Sequence, residues 1–474
     1  MTSSLAPSDT TPRGANSKLT LLKEFQLSEN RPHGARISED PLAHAFEEKA
    51  VVHAGLGGRP MPRKALPGLW ADLSARPREG KTSAYVHIPF CQTQCLYCGF
   101  YANALKADAV QAYARALMEE IRADRDLPVV NSGPVHAVYL GGGTPTGLSA
   151  RDLRELLTTL KECLPLSNDC EITVEGRILN FDEEKMDACL EGGANRFSIG
   201  VQSFDSRIRQ KLGRWADQQT IVDRLNLLKS KDQAAVIIDL IFGLPGQTMD
   251  HWEADLKQFL EMELDGVDLY QLITFKGGPL DRAVARGKIG PAADKFQRSR
   301  MFKRGVEIME DARYRRLSIC HWGRAFRERN IYNLSMKQKT HCLAYGSGAG
   351  GNLFGHMYFL DGTLDAYLGK AGREKPLLHA MAPSPHEAVN RFIAGELERG
   401  RIRLGDLEKF WDPAMGQDLD PETFFAPLVE NWAAAGLITL DRGWMDLTLA
   451  GQFWETTMAQ GMIDYFNGAR AALA

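Results

Sequence analysis

Within residues 91–98 this chain places Cys91, Cys95 and Cys98 in a C-x3-C-x2-C array, directly after the run Tyr85-Val86-His87-Ile88-Pro89-Phe90. Three thiols on one short loop leave few options. A tetrahedral zinc site takes four protein ligands, and no second cysteine or histidine pair follows within roughly 60 residues. A thiol redox pair needs two cysteines and leaves the third unexplained. Three thiolates suit a 4Fe–4S cluster held through three irons with the fourth iron open, because cluster iron takes thiolate as a soft donor.

From residue 83 the sequence alternates between strand and helix patterns. Strands are predicted at 83–88, 135–140, 171–175, 196–201, 235–241 and 267–273, each rich in Val, Ile, Tyr or Leu and bounded by turn residues. Amphipathic helices are predicted between them at 107–125, 150–163, 182–191, 220–229 and 250–262. Six βα repeats with apolar strands imply an α/β fold, a parallel sheet with helices outside it, as in a partial six-unit (β/α) barrel. In such folds the site lies where the C-terminal ends of the strands open into loops, and the cysteine loop sits there after the first strand. Four more strand ends carry polar or glycine-rich groups. The second runs into Gly141-Gly142-Gly143-Thr144-Pro145, where missing side chains expose backbone amides and carbonyls. The third ends at Glu175, the fourth at Gln202 and the fifth carries Asp239.

These motifs together resemble the radical S-adenosylmethionine (SAM) superfamily. The run His87-Ile88-Pro89-Phe90-Cys91 is similar to the branch containing oxygen-independent coproporphyrinogen oxidase, its haem-chaperone relatives and the haem-degrading methyltransferases. The resemblance implies a 4Fe–4S cluster on Cys91, Cys95 and Cys98, and SAM bound to the open iron. It implies SAM contacts from Tyr85, Tyr97, Gly142, Gly143, Thr144, Glu175, Gln202, Arg214 and Asp239, with Arg214 the counter-charge for the methionyl carboxylate. An electron from a flavodoxin- or ferredoxin-type donor would split SAM into methionine and a deoxyadenosyl radical.

Within that branch, the oxidase type carries a further cysteine two residues past the third ligand, where this chain has Phe100. The chaperones start close to their first strand, whereas more than 80 residues precede it here. The segment Asp40-Pro41-Leu42, with Ala45-Phe46, Lys49 and His53-Ala54-Gly55, is similar to enzymes that open haem anaerobically to anaerobilin and release iron. The implied mechanism uses two SAM molecules, one giving the radical and one the methyl group added to a haem meso carbon. A haem-binding chaperone without turnover and an oxidase-like decarboxylase are the alternatives. A flat, doubly anionic substrate calls for aromatic walls and arginines, and Trp322, Tyr345, Arg324 and Arg327 are candidates by residue type. His321, His53, His341 and His356 are candidate iron ligands.

The 474 residues accommodate several domains. We expect a loosely ordered tail (1–38), a strap (39–80) with a short helix from Pro41 to Val52, the barrel (81–290), an extension carrying substrate-side loops (291–384) and a winged-helix-like lid (385–474). The hairpin expected in the last of these joins 436–440 to 444–448 through Asp441-Arg442-Gly443. A net charge of −3 and the absence of a Lys/Arg stripe argue against nucleic acid as a partner of that wing. No apolar run reaches membrane-span length, and 1–38 has no apolar signal core. Eight cysteines without such a signal fit a reducing cytoplasm.

Overall fold

Val86 and Ile88 in the first strand, and Val236, Ile237 and Ile238 in the fifth, are fully or almost fully buried, as strands covered on both faces require. A computed structural model describes residues 33–49, 54–338, 340–411 and 419–473. Six strands follow the predicted order: β1 (Thr82–Ile88), β2 (Val135–Gly142), β3 (Leu166–Gly176), β4 (Arg196–Gln202), β5 (Ala235–Phe242) and β6 (Gly266–Gln271). Each pairs in parallel with the next. The connecting helices are α1 (Ala107–Asp124), α2 (Ala150–Cys163), α3 (Glu183–Gly192), α4 (Gln218–Ser230) and α5 (Met249–Met262). The starts of α2 to α5 are fixed by side-chain caps: Ser149, Asp182, Asp217 and Thr248 each accept from a first-turn amide.

The sheet exceeds the expected six strands. β7 (His321–Gly323) adds antiparallel to β6, and β8 (His341–Tyr345) adds parallel to β1. Beyond β8 an antiparallel meander, 350–353, 356–360 and 377–382, extends the sheet to Arg59–Pro60. The parallel run therefore has seven strands, and its order is open. The Gly-Pro segment near residue 60 is an edge strand, Arg59 opposite Ala382.

The chain divides into two compact units, one being Gly57–Pro385 and the other the chain up to Leu56 together with His386 onward. The expected strap over 39–80 is thus split. The reason lies in tertiary hydrogen bonds: the indole N–H of Trp432 donates to the His33 carbonyl (3.0 Å) and that of Trp454 to the Pro41 carbonyl (3.1 Å). The helix expected to run to Val52 ends at His44. In the same unit, helices 387–397, 421–434 and 455–473 accompany a three-stranded antiparallel sheet, the winged-helix-like pattern. Its hairpin turns on Arg442 and Gly443, both with positive φ (48° and 80°), which suits a two-residue turn between twisted strands. No helix among the described residues is long and apolar enough to cross a membrane.

Candidate functional site

The cysteine loop leaves the C-terminal end of β1 and returns beside its own start. Phe90–Cys91 pairs in parallel with Asn103–Ala104, and the Leu105 amide donates to the Cys91 carbonyl (3.1 Å). Glycine is required beneath it. A Cβ on Gly143 would stand 2.6 Å from the Phe90 carbonyl oxygen, and Gly142 has φ +110° with the His87 ring against its missing side chain. The glycine run therefore lets the end of β2 close onto the lead-in to the cysteines. Thr144 Oγ1 lies 3.4 Å from Cys91 Sγ.

Arg214 joins the loop to the sheet. Buried, it donates to Cys95 Sγ (3.4 Å), to the Tyr97 hydroxyl (3.1 Å) and to the Gly200 carbonyl. Burial alone would push the Cys95 thiol up, but the guanidiniums of Arg214 and Arg177 more than offset this and hold it below the ordinary thiol range. Arg177, which the sequence reading missed, donates to the Thr93 carbonyl (3.0 Å) and hydroxyl (3.3 Å) and so fixes the loop's first turn. Its position two residues past Glu175, on the same face of the chain, was the available signal. Cys98 differs: burial raises its thiol, and its sulfur accepts from the Phe100 amide (3.3 Å).

Polar groups from successive strands converge beside this loop. The site a Cβ would occupy on Gly200 is 2.7 Å from Gln202 Nε2, 3.2 Å from an Arg214 nitrogen and 3.8 Å from an Asp239 oxygen, so these three side chains meet at one point. Glu175 accepts from the Tyr139 hydroxyl (2.6 Å) and the Gly142 amide (3.2 Å). Tyr85 stacks near Tyr139 and Tyr332, and its hydroxyl lies 2.9 Å from His87 Nδ1. Burial pushes the His87 ring down to about 4, leaving it neutral at physiological pH. Burial, with Asp268 and Glu175 nearby, lifts Asp239 to about 7.

The residues expected to face substrate lie elsewhere. β7 runs antiparallel to β6, so the chain after His321 travels toward the opposite end of the sheet. Arg324 there pairs with Glu263 (2.8 Å) and Arg327 with Asp232 (2.6 Å), both in the turns that precede strands. Trp322 is core, among Phe242, Trp252 and Phe302. His321 is buried between Asp268 (2.9 Å) and Glu328 (3.0 Å), and Glu328 also takes Arg196 (3.0 Å). Burial would lower His321, but the two carboxylates win and hold it at about 9. Tyr345 is paired in register with Val86 and is buried under the Lys375 ammonium (4.3 Å), which is itself held by Glu120 and Asp124. His341 lies edge-on to Phe354, His356 opens the 356–360 strand, and His53 lies outside the described residues. The other cysteines, Cys163, Cys170, Cys189, Cys320 and Cys342, form no disulfides.

The mouth therefore offers three thiols on one loop, an arginine against one of them, and buried polar atoms, Gln202 Oε1 and Arg214 Nε, that have no partner in the protein. Among the described residues no three His, Cys, Asp or Glu side chains are drawn together as a single metal ion requires. The donor chemistry of the three loop thiols fits a cluster, whose ligands spread over separate irons.

Comparison with known proteins agrees. Residues 85–259 match the radical SAM superfamily profile. Anaerobilin synthase of Escherichia coli O157:H7 is 39% identical over 453 residues, covering 94% of this chain and 96% of that protein. The chain belongs to the radical SAM superfamily. It is an enzyme of the coproporphyrinogen-oxidase-like branch, which works with a 4Fe–4S cluster and SAM. Heme chaperone HemW of Lactococcus lactis is 32% identical over 69% of this chain and 84% of that one. The coproporphyrinogen III oxidase (HemN) structure from Escherichia coli superposes with a TM-score of 0.71 at 22% identity, covering 88% of this chain and 97% of that one, which establishes the shared fold.

Proposed function

We propose that this enzyme opens haem anaerobically by methyl transfer, giving a linear tetrapyrrole and free iron. The observation that carries the reading is the end-to-end match to anaerobilin synthase, which takes in the region before β1 and the C-terminal unit as well as the barrel. Phe100, where the oxidase type has a cysteine, favours the same branch.

In this reading Cys91, Cys95 and Cys98 hold the cluster, and cluster and SAM together supply radical chemistry when bound. The chain's own part is placement. Arg214 balances thiolate charge at Cys95 and offers its unengaged Nε toward a carboxylate. Gln202, Asp239 and Glu175 supply acceptors, and Tyr85 an aromatic wall. Gly142, Gly143 and Thr144 bring backbone groups against the loop, and Tyr97 holds Arg214 in place. A flavodoxin- or ferredoxin-type carrier supplies the electron, in a reducing cytoplasm that suits eight free cysteines.

The test is anaerobic incubation of reconstituted protein with haem, a one-electron reductant and SAM labelled in its methyl group. The expected outcome is loss of the haem Soret band with label in an opened tetrapyrrole. SAM cleavage with haem spectrally unchanged would instead indicate a chaperone.

A further inference from the structure

The cluster must take its electron from outside the chain, and one face of the barrel unit is charged for that encounter. The cysteine loop, the turn after β3 and the segment after β4 line a shallow open cleft, with Thr93, Arg177, Leu179, Arg214 and Trp215 in its wall. The lining of the cleft carries Arg177, Arg209 and Arg214 and no acid. Between Asp205 and Asp217, residues 206–216 carry Arg207 and Lys211, both exposed, besides the buried Arg209 and Arg214. The three arginines of the cleft donate to neutral oxygens and to Cys95, and to no carboxylate. Arg177 is on Thr93, Arg209 on the Ala216, Val201 and Ser203 carbonyls, and Arg214 on Tyr97, Gly200 and Cys95. Of the flanking acids, Asp205, Asp217 and Asp182 cap helices through the Ile208, Thr220 and Lys185 amides, and Glu175 accepts from Tyr139 and Gly142. A lining of three arginines without an acid stands out in a chain of net charge −3.

Two large apolar side chains stand out on the same rim: Trp215 is 60% exposed and Leu179 53%. Exposed tryptophan beside arginine is the composition of an interface anchor. Arg214 runs from the cleft to Cys95, and Arg177 from the cleft to Thr93, so the wall of the cleft is the outer side of the cysteine loop.

We propose that this face docks an acidic one-electron carrier protein of the flavodoxin kind. The carrier is oxidised by one electron and the cluster reduced by one, with no proton or leaving group involved. The proposal rests on the cluster assignment above. Opposed charge would speed and orient the encounter, and salt would weaken it.

The test uses anaerobically reconstituted full-length protein and a bacterial flavodoxin as probe, with Trp215→Ala and the double variant Arg207→Glu, Lys211→Glu. Calorimetric titration is expected to give a wild-type Kd that weakens as salt rises. Trp215→Ala should raise Kd about tenfold or more, as truncating an interface anchor does. The double variant should bind weakly and lose the salt dependence. Cluster absorbance and dithionite-driven SAM cleavage should stay at wild-type level in both. Wild-type flavodoxin affinity in both variants overturns the proposal, as does a salt-insensitive Kd. Loss of dithionite-driven cleavage at unchanged Kd also overturns it and assigns the face to the SAM site. Wild-type protein without cluster absorbance defeats the cofactor reading instead.

Discussion

Asp239 is held in a state that costs the folded protein stability. Burial, Asp268 and Glu175 raise its carboxyl from the ordinary 3.8 to about 7. Between about pH 4 and 7 the folded protein keeps a proton that the unfolded chain has lost. Stability contributed at this site therefore falls as pH rises through that window, and above 7 the whole penalty is present. About three pKa units at roughly 1.4 kcal/mol each set a ceiling of about 4 kcal/mol. Partial solvent access reduces this to about 2 kcal/mol, and the Ser198 hydroxyl at 3.3 Å also eases the charge. Asp239→Asn is neutral at every pH. It should stabilise the cofactor-free protein by about 2 kcal/mol at pH 8 and by less than half of that at pH 5, read as a shift of the denaturant midpoint. The same variant should bind SAM roughly ten- to a hundredfold more weakly, because an ionised acceptor is lost. Wild-type SAM affinity should rise with pH up to about 7. Equal stability changes at both pH values, or an unchanged SAM affinity, would refute the reasoning.

Four further outcomes follow from the same geometry. Cys95→Ala should abolish the visible absorbance of the reconstituted cluster while the protein remains folded; retained absorbance would remove Cys95 from the ligand set. Gly143→Ala forces a Cβ to within 2.6 Å of the Phe90 carbonyl and should lower bound iron, whereas Gly290→Ala, which meets nothing within 4 Å, should not. His321→Ala leaves Asp268 and Glu328 buried without their shared cation and should cost about 3–5 kcal/mol. His321 is raised from 6.5 to about 9, so its stabilisation is complete below pH 6.5 and lost as pH rises through 9; the cost of the substitution should shrink accordingly in unfolding measured at pH 6.5 and 10. Tyr345→Phe removes a buried hydroxyl that has no partner and should be neutral to about 1 kcal/mol stabilising, with haem turnover unaffected.

The six parallel strands were legible because strands covered on both faces are continuous apolar runs, and the helix starts because Ser149, Asp182, Asp217 and Thr248 cap in place. The mouth was legible because Glu175 and Gln202 fall at the C-terminal ends of their strands and Asp239 interrupts an otherwise apolar run in the C-terminal half of its strand. Direction was not legible. Nothing in Ile319 to Arg329 announces that β7 is antiparallel, and that reversal carries Arg324 and Arg327 to the far end and Trp322 into the core. Tyr345 looked like a substrate wall until β8 was seen paired with β1, where period-two alternation groups it with outward-facing Val86. The division at Leu56 depends on the indoles of Trp432 and Trp454 reaching the carbonyls of His33 and Pro41, about 400 residues away, a pairing no local pattern encodes.

The most direct test of the central claim is electron paramagnetic resonance of the anaerobically prepared, reduced protein, with and without SAM isotopically labelled at its amino and carboxylate groups. The account predicts a 4Fe–4S signal that SAM shifts, with hyperfine coupling from the labelled nuclei to one iron. Zinc in place of iron, or a cluster signal that SAM leaves untouched, would contradict it.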